Sequence, residues 1–197
     1  MQPDLSAPMS KSHAKTSEPP RISEADYLAS ESTSQTKHEL VDGVIYAMAS
    51  GSNAANQITL EIVAALRPQL PAGCRIFAMD AKLRIATDDT VSFYYPDLMV
   101  TCRPVDLAAH YQEEPAVVIE VLSPSTERID RSEKMRAYIG IPSLQAYLLI
   151  AQDTARVELM QRSEGWRPEL FFREDTVELP SIGAKLLVEA IYAGTVL

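Results

Sequence analysis

Two acidic residues in apolar surroundings are the first features of this sequence that suggest chemistry. Asp97 follows Pro96 and opens one apolar run, and Glu120 lies near the end of the β-branched run from Ala116 to Leu122. Short apolar runs predict buried strands, where a charge is costly unless it is paired or binds a metal. If the two strands are neighbours, the carboxylates meet. Such a pair suits Mg²⁺, which takes one or two protein carboxylates and keeps several waters.

A lysine follows in a stretch with helical spacing. Asp130, Lys134 and Tyr138 recur every four residues and therefore share one helix face. If this helix packs on the strand that carries Glu120, Lys134 lies over the carboxylate pair. There it can position a water and offset the charge of a phosphate under attack. We expect Tyr138 to pack in the core rather than to act in the chemistry.

Each of these residues also has a purely structural explanation. Asp97 can cap a turn, Glu120 can pair with Arg103, and the Asp130–Lys134 pair can be an ordinary helix ion pair of about 0.2–0.5 kcal/mol. Structural networks often imitate active sites, so both interpretations stay open at this point. The conjunction of two acids and a lysine on consecutive elements is what favours a metal site.

The remaining patterns predict the elements around this group. Ser23 begins a short helix, Asp42-Gly43 is a hairpin turn signal, and 56–70 is an amphipathic helix. Further strands are predicted over 75–85, 145–150, 157–161 and 166–172, with a last strand and a short helix before Tyr192. The predicted fold class is α/β (α+β), with a central mixed β-sheet flanked by helices and the site at one edge of the sheet.

Asp80 is a further candidate on the strand predicted over 75–85. It shares a face with Lys82 and could approach the site from a neighbouring strand. An ordinary salt bridge is the alternative, and we favour it because most strand charges are solvated or paired.

Composition limits the wider possibilities. The chain has 197 residues, and we expect a disordered tail over residues 1–20 and a single domain over 21–197. The net charge of −9 argues against broad attraction to nucleic acid, although a metal ion can supply local positive charge. Cys74 and Cys102 form no metal motif, so we expect reduced thiols and a cytoplasmic protein. We expect no membrane segment.

Five stretches resemble the Uma-two type of putative endonucleases within the PD-(D/E)XK nuclease superfamily, which has the restriction-endonuclease-like fold. They read KHELVDGVIYAM, YYPDLMVTC, AVVIEVLSPST, DRSEKMRAYIGIPSLQAYLLI and LVEAIY, and they run from about Ser23 to the C-terminus. The superfamily lysine usually sits two residues after the acid, where this chain has Leu122. The resemblance implies that Lys134, from the following helix, takes its place.

The resemblance implies a metal-dependent endonuclease that hydrolyses nucleic-acid phosphodiester bonds, with DNA as the expected partner. Asp97 and Glu120, with the backbone carbonyl of Val121, would hold Mg²⁺, for which Mn²⁺ could substitute. Asp97, Glu120 and Lys134 would be catalytic. Glu39 would be a third site carboxylate, with an exposed strand acid as the alternative. The supporting residues of the prediction are Glu39, Asp80, Asp130 and Gln145.

Alternatives from other classes stay open. Ala55 and Asn56 occupy the place where many family members carry a histidine, which together with the acidic charge favours an inactive, nuclease-like binding or assembly module. A hydrolase of small nucleotides is a third possibility. Ser123 and Ser125 could contact a phosphate or cap the helix. A homodimer would suit the cutting of two strands.

Overall fold

The computed structural model describes residues 20–124 and 126–195. All of the predicted tail except Pro20 therefore lies outside the described residues, as does Ser125. The helices are α1 (Glu24–Glu31), α2 (Asn53–Leu66), α3 (Glu127–Ile129), α4 (Met135–Ile139) and α5 (Val188–Ile191). A π-helical segment, Asp130–Lys134, joins α3 to α4, and we call the continuous stretch 127–139 the lysine helix.

The strands follow the predicted order with some differences in their limits, and the structure contains strands that were not predicted. They are β1 (His38–Val41), β2 (Val44–Ala47), β3 (Arg75–Ala78), β4 (Lys82–Ala86), β5 (Val91–Tyr94), β6 (Leu98–Thr101), β7 (Tyr111–Gln112), β8 (Val117–Leu122), β9 (Ala146–Ala151), β10 (Arg156–Gln161), β11 (Pro168–Phe172), β12 (Thr176–Leu179) and β13 (Ala184–Leu187). The hairpin β1–β2 turns at Asp42 and Gly43, which both have positive φ, as that pair of residues predicts.

The central sheet has the order β11-β10-β9-β8-β6-β3 within the described chain. It is mixed, because β8 and β9 are parallel while β6 and β8 are antiparallel. Helix α2 packs on one face of this sheet, and the lysine helix packs on the other. A second sheet, β2-β1-β5-β4-β7, contains the β1–β2 hairpin. This mixed sheet flanked by helices confirms the predicted fold class.

Side-chain alternation along β8 explains where its carboxylate points. Val117, Ile119 and Val121 belong to the apolar core under α2. Val118 and Leu122 instead join the core on the side of the lysine helix. Because side chains alternate between the two faces of a strand, Glu120 lies on the same side as Val118 and Leu122, facing the lysine helix.

The prediction of one strand over 75–85 was wrong. The chain breaks between β3 and β4, and Met79 takes a positive φ of 63°, which is uncommon for a residue other than glycine. The break is needed because β3 joins the central sheet beside β6, whereas β4 joins the second sheet beside β5. Asp80 therefore lies in a turn and does not share a strand face with Lys82.

The expectation of reduced cysteines was also wrong. Cys74 and Cys102 form a disulfide. The antiparallel pairing of β3 and β6 sets Arg75 opposite Thr101, so the next residues outward, the two cysteines, face each other. The thiol argument for a cytoplasmic setting no longer holds. In the part of the chain that is described, no helix is long and apolar enough to cross a bilayer.

Candidate metal-binding nuclease site

Asp97 and Glu120 meet because β6 and β8 are neighbours. The register pairs Leu98 with Ile119, so the preceding residue, Asp97, lies across from Glu120. The backbone amide of Val121 donates to Asp97 Oδ2 at 2.7 Å, and the amide of Asp97 approaches Glu120 Oε2 at 3.4 Å. The two carboxylates thus lie at adjacent ends of β6 and β8, and β6 itself lies beside the outermost strand, β3.

The second oxygen of Glu120 receives two donors from the lysine helix. Lys134 Nζ lies 3.2 Å from Glu120 Oε1, and the hydroxyl of Tyr138 donates to the same oxygen at 2.8 Å. Glu120 is 3% exposed and Tyr138 is fully buried. One carboxylate oxygen is therefore held inside the core, and the other is turned toward Asp97.

Two further carboxylates surround Lys134. Its ammonium lies 3.2 Å from Glu39 Oε1 and 3.4 Å from Asp130 Oδ1. Glu39 comes from β1 and also accepts a hydrogen bond from the backbone amide of Tyr95 at 3.2 Å. Asp130 Oδ1 is buried and has no partner in hydrogen-bonding geometry among the described residues, so its contact with Lys134 is an ion pair only.

The lysine helix is irregular where it carries the charged residues. Asp130–Lys134 is π-helical, a rare conformation that often occurs at functional sites. The helix is held on the sheet by Arg131, which binds Glu127 Oε1 at 2.9 Å and Glu158 Oε2 at 2.6 Å. The hydroxyl of Tyr147 on β9 donates to the carbonyl of Asp130 at 3.1 Å. The sheet thereby fixes the position of the π-helical segment.

Burial and like charge govern the protonation of this group. Burial raises the pKa of Glu120 well above its usual value, Lys134 lowers it, and Asp97 and Asp130 raise it further. Burial also raises the pKa of Asp97, although the amide of Val121 opposes the shift. Burial alone would lower the pKa of Lys134, but its neighbouring carboxylates raise it above the lysine value. Lys134 is therefore an ammonium, and the negative charges around it are only partly balanced.

Two predicted supporting residues lie away from this cluster. Asp80 is exposed and forms an ion pair with Lys37, so it makes an ordinary salt bridge and does not approach the carboxylate pair. Gln145 precedes β9, and its amide donates to the carbonyl of Ser143 at 3.1 Å. Glu120 instead lies opposite Leu149, four positions further along β9. The roles assigned to Asp80 and Gln145 therefore receive no support from their positions.

Two other expectations concern groups beside the cluster. Ser123 Oγ accepts from the amide of Thr126 at 3.2 Å, so its side chain caps the turn that begins the lysine helix. Val121 contributes its amide to Asp97, and the metal-binding role of its carbonyl stays a prediction. Tyr138 packs in the core as expected, but its hydroxyl also binds Glu120. The four-residue spacing that places Tyr138 on the same helix face as Asp130 and Lys134 is the sequence feature that indicates its contact with Glu120.

The family model described as "Putative restriction endonuclease", Uma2, matches residues 24–189 of the chain. The uncharacterized protein slr1290 of Synechocystis is 36% identical over 186 residues, which are 92% of this chain and 97% of the relative. A second uncharacterized Synechocystis protein, sll1609, is 35% identical over 147 residues, which are 72% of this chain and 81% of the relative.

Among solved structures, a crystal structure from Anabaena variabilis, described as a "putative nuclease belonging to DUF820", has a TM-score of 0.63. The match covers 81% of this chain and 92% of that chain at 18% identity, and it supports the fold alone. The family model and the Synechocystis relatives cover most of the domain that carries the carboxylate–lysine cluster. The chain belongs to the Uma2 family.

Proposed function

We propose that the protein is a metal-dependent endonuclease that hydrolyses phosphodiester bonds of nucleic acid, with DNA as the substrate. Family membership supports nuclease chemistry. The observation that carries the proposal is the meeting of Asp97 and Glu120 at the ends of adjacent strands, with the Lys134 ammonium 3.2 Å from Glu120. Two carboxylates can hold a divalent metal that assists phosphodiester hydrolysis, and a neighbouring cation can offset the charge on the phosphate.

The donor chemistry at this position suits Mg²⁺, with Mn²⁺ as a substitute. Among the described residues, no group of three or more histidine, cysteine, aspartate or glutamate side chains is arranged to hold a metal. A site with two carboxylates is nevertheless usual for Mg²⁺, which keeps several of its waters. We assign the ligand role to Asp97 and Glu120, together with the carbonyl of Val121. When bound, the metal supplies Lewis acidity toward a phosphoryl oxygen.

The protein's own residues have separate tasks in this proposal. Tyr138 and Lys134 hold one oxygen of Glu120, so the other stays directed toward Asp97. The amide of Val121 fixes Asp97. Lys134 acts as a positive charge, because the carboxylates around it raise its pKa above the lysine value. It orients the attacking water and offsets charge that develops on the phosphate.

A binding or assembly module without cleavage is the second candidate function. It is favoured by the burial of Lys134, which is 6% exposed and is enclosed by Glu39, Glu120 and Asp130. An ammonium held in this way is a structural counter-ion unless a metal or substrate draws the carboxylates away. The chain's net charge of −9 also weakens attraction to nucleic acid.

Cleavage of supercoiled plasmid with Mg²⁺ or Mn²⁺ tests the proposal. We expect the wild-type protein to nick or linearise the plasmid, and the Glu120→Gln and Lys134→Ala variants to lose that activity. An inactive wild type that binds no metal would favour the binding module. An inactive wild type that does bind metal would indicate another substrate. Small nucleotides would then be tested as substrates. Salt dependence distinguishes the two classes, because binding of a small nucleotide depends far less on salt than binding of a duplex does.

Further features of the proposal need their own measurements. Parallel assays on DNA and RNA oligonucleotides would decide between the two substrates. Sedimentation of the purified protein would test the homodimer that double-strand cleavage favours.

A further inference from the structure

Two lysines lie on the ring of Tyr95, the residue that follows β5. Lys37 Nζ is 5.8 Å and Lys82 Nζ is 5.3 Å from the ring centroid. Cations within about 6 Å of an aromatic ring are attracted to its face. Tyr95 is 5% exposed, so its ring serves as a fixed support for both lysine side chains. We call Lys37, Lys82 and Tyr95 the lysine ledge.

The ledge is tied to Asp97 by the chain and by hydrogen bonds. Tyr95 precedes Asp97 by two residues, which in extended chain is about 7 Å. Lys37 Nζ donates to the carbonyl of Met79 at 3.3 Å, and the amide of Met79 donates to the carbonyl of Asp97 at 3.0 Å. Lys82 lies one position beyond the Leu83–Tyr94 pair of β4 and β5, and therefore across from Tyr95. The Lys37 ammonium is thus linked through Met79 to the start of β6, and Lys82 lies across from Tyr95, two residues before Asp97.

The ledge lysines, unlike Lys134, are available to an external anion. Within the described chain, Lys82 has no carboxylate partner. Lys37 has one, Asp80, whose side chain is 80% exposed. An exposed ion pair contributes only about 0–1 kcal/mol, so an incoming phosphate can displace Asp80 at little cost. On a protein with a net charge of −9, these ammonium groups form a local positive area beside an acidic site.

We propose that Lys37 and Lys82 bind phosphate groups of a nucleic-acid strand and hold it at the carboxylate pair. In the protein without nucleic acid, Asp80 forms an ion pair with Lys37 and therefore competes with the phosphate for this lysine. This inference rests on the proposed nuclease function and adds to it the residues that hold the substrate. It also explains how an acidic protein can bring a polyanion to a cluster of carboxylates.

Salt dependence gives the inference a measurable magnitude. Each neutralised phosphate of duplex DNA contributes about 0.9 to the slope of log K against log salt. Replacing one ledge lysine by glutamine removes one such contact. The magnitude of the slope should therefore decrease by about 0.9 for Lys37→Gln and by the same amount for Lys82→Gln, and each variant should bind more weakly at every salt concentration. Asp80→Asn should tighten binding, because it frees Lys37.

The assay is fluorescence anisotropy of a labelled DNA duplex across a salt series, without divalent metal. The full-length Glu120→Gln protein serves as background, since it carries one acidic charge fewer at the site and should not cleave. Lys185→Gln is the matched control, because Lys185 is an exposed lysine on β13. We expect the control to leave the slope unchanged. Equal slopes for the ledge variants and the control, or no binding even at low salt, would overturn the inference.

Cleavage and binding fail in distinguishable ways. A wild type that cleaves plasmid, combined with ledge variants that keep the full salt slope, would refute the ledge and leave the nuclease proposal standing. A wild type that does not cleave, combined with reduced slopes for both lysine variants, would refute the nuclease proposal and support the ledge as a nucleic-acid contact. Unfolding curves for each variant exclude loss of the fold as the cause.

Discussion

Removal of one hydroxyl group, by Tyr138→Phe, tests the arrangement around Glu120. The hydroxyl donates to Glu120 Oε1 at 2.8 Å in a fully buried position. A hydrogen bond to a charged group contributes about 1.5–3 kcal/mol to stability. The ring should stay in place, because it makes edge contacts with Tyr94 and Tyr147 at centroid distances of 5.5 and 5.4 Å. We therefore expect the free energy of unfolding to fall by about 1.5–3 kcal/mol.

Tyr147→Phe is the matched control for this measurement. Tyr147 is fully buried in the same apolar cluster, but its hydroxyl donates to the neutral carbonyl of Asp130 at 3.1 Å. A neutral hydrogen bond contributes only about 0.5–1.5 kcal/mol. Urea unfolding without divalent metal measures both variants. Equal losses for the two would refute a charged hydrogen bond between Tyr138 and Glu120.

The difference between the two variants should also depend on pH. Burial raises the pKa of Glu120 well above its usual value, so its carboxylate takes up a proton at a higher pH than an ordinary glutamate does as the pH falls. Once Glu120 is neutral, the bond from Tyr138 has the strength of an ordinary one. The loss caused by Tyr138→Phe should then approach that of Tyr147→Phe. A difference that grows at low pH would contradict this explanation.

Three further predictions concern the carboxylate pair, Lys134 and the disulfide. Metal-free protein should become more stable as the pH falls toward the range in which ordinary carboxylates titrate. The raised pKa values of Asp97 and Glu120 mean that the native carboxylates bind protons more tightly than the unfolded chain does. Mg²⁺ should reduce this dependence in urea unfolding, and a stability that rises with pH would contradict it. Lys134→Met should lower the free energy of unfolding by about 3–5 kcal/mol, because it leaves buried carboxylates without their cation. In a double-mutant cycle, adding Glu120→Gln should recover part of that loss. Replacing Cys74 and Cys102 together by alanine should lower the free energy of unfolding by about 3–4 kcal/mol. This is the loop-closure entropy expected for a disulfide with a sequence separation of 28 residues. An unchanged urea midpoint would show that the disulfide does not stabilise the fold.

The strands and the carboxylate pair were predictable because local patterns specify them. Apolar runs predicted β6 and β8, and their acids were placed at matching ends. The four-residue spacing of Asp130 and Lys134 predicted their contact, which persists as an ion pair of 3.4 Å although the segment is π-helical. Glu39 was harder to place, since its approach to Lys134 joins residues that are far apart in sequence. Only the family resemblance suggested it.

Features that depend on which strands pair could not be predicted from local patterns. The break at Met79 exists because its flanking strands belong to different sheets, and nothing in the alternation over 75–85 indicates this. The Cys74–Cys102 disulfide likewise depends on the pairing of β3 with β6. The ledge was missed for the same reason, because Lys37 and Lys82 meet only when the β1–β2 hairpin and β4 both pack beside Tyr95.

Calorimetric titration of metal-free protein with Mn²⁺ or Mg²⁺ tests most directly whether Asp97 and Glu120 form a metal site. We expect the wild type to bind the metal and Glu120→Gln to lose that binding while it keeps a cooperative unfolding transition. Glu178→Gln is the control, because Glu178 is an exposed acid on β12 and, among the described residues, does not contact the lysine helix, and it should bind metal as the wild type does. Metal binding that survives Glu120→Gln unchanged, or a wild type that binds no metal, would contradict the account.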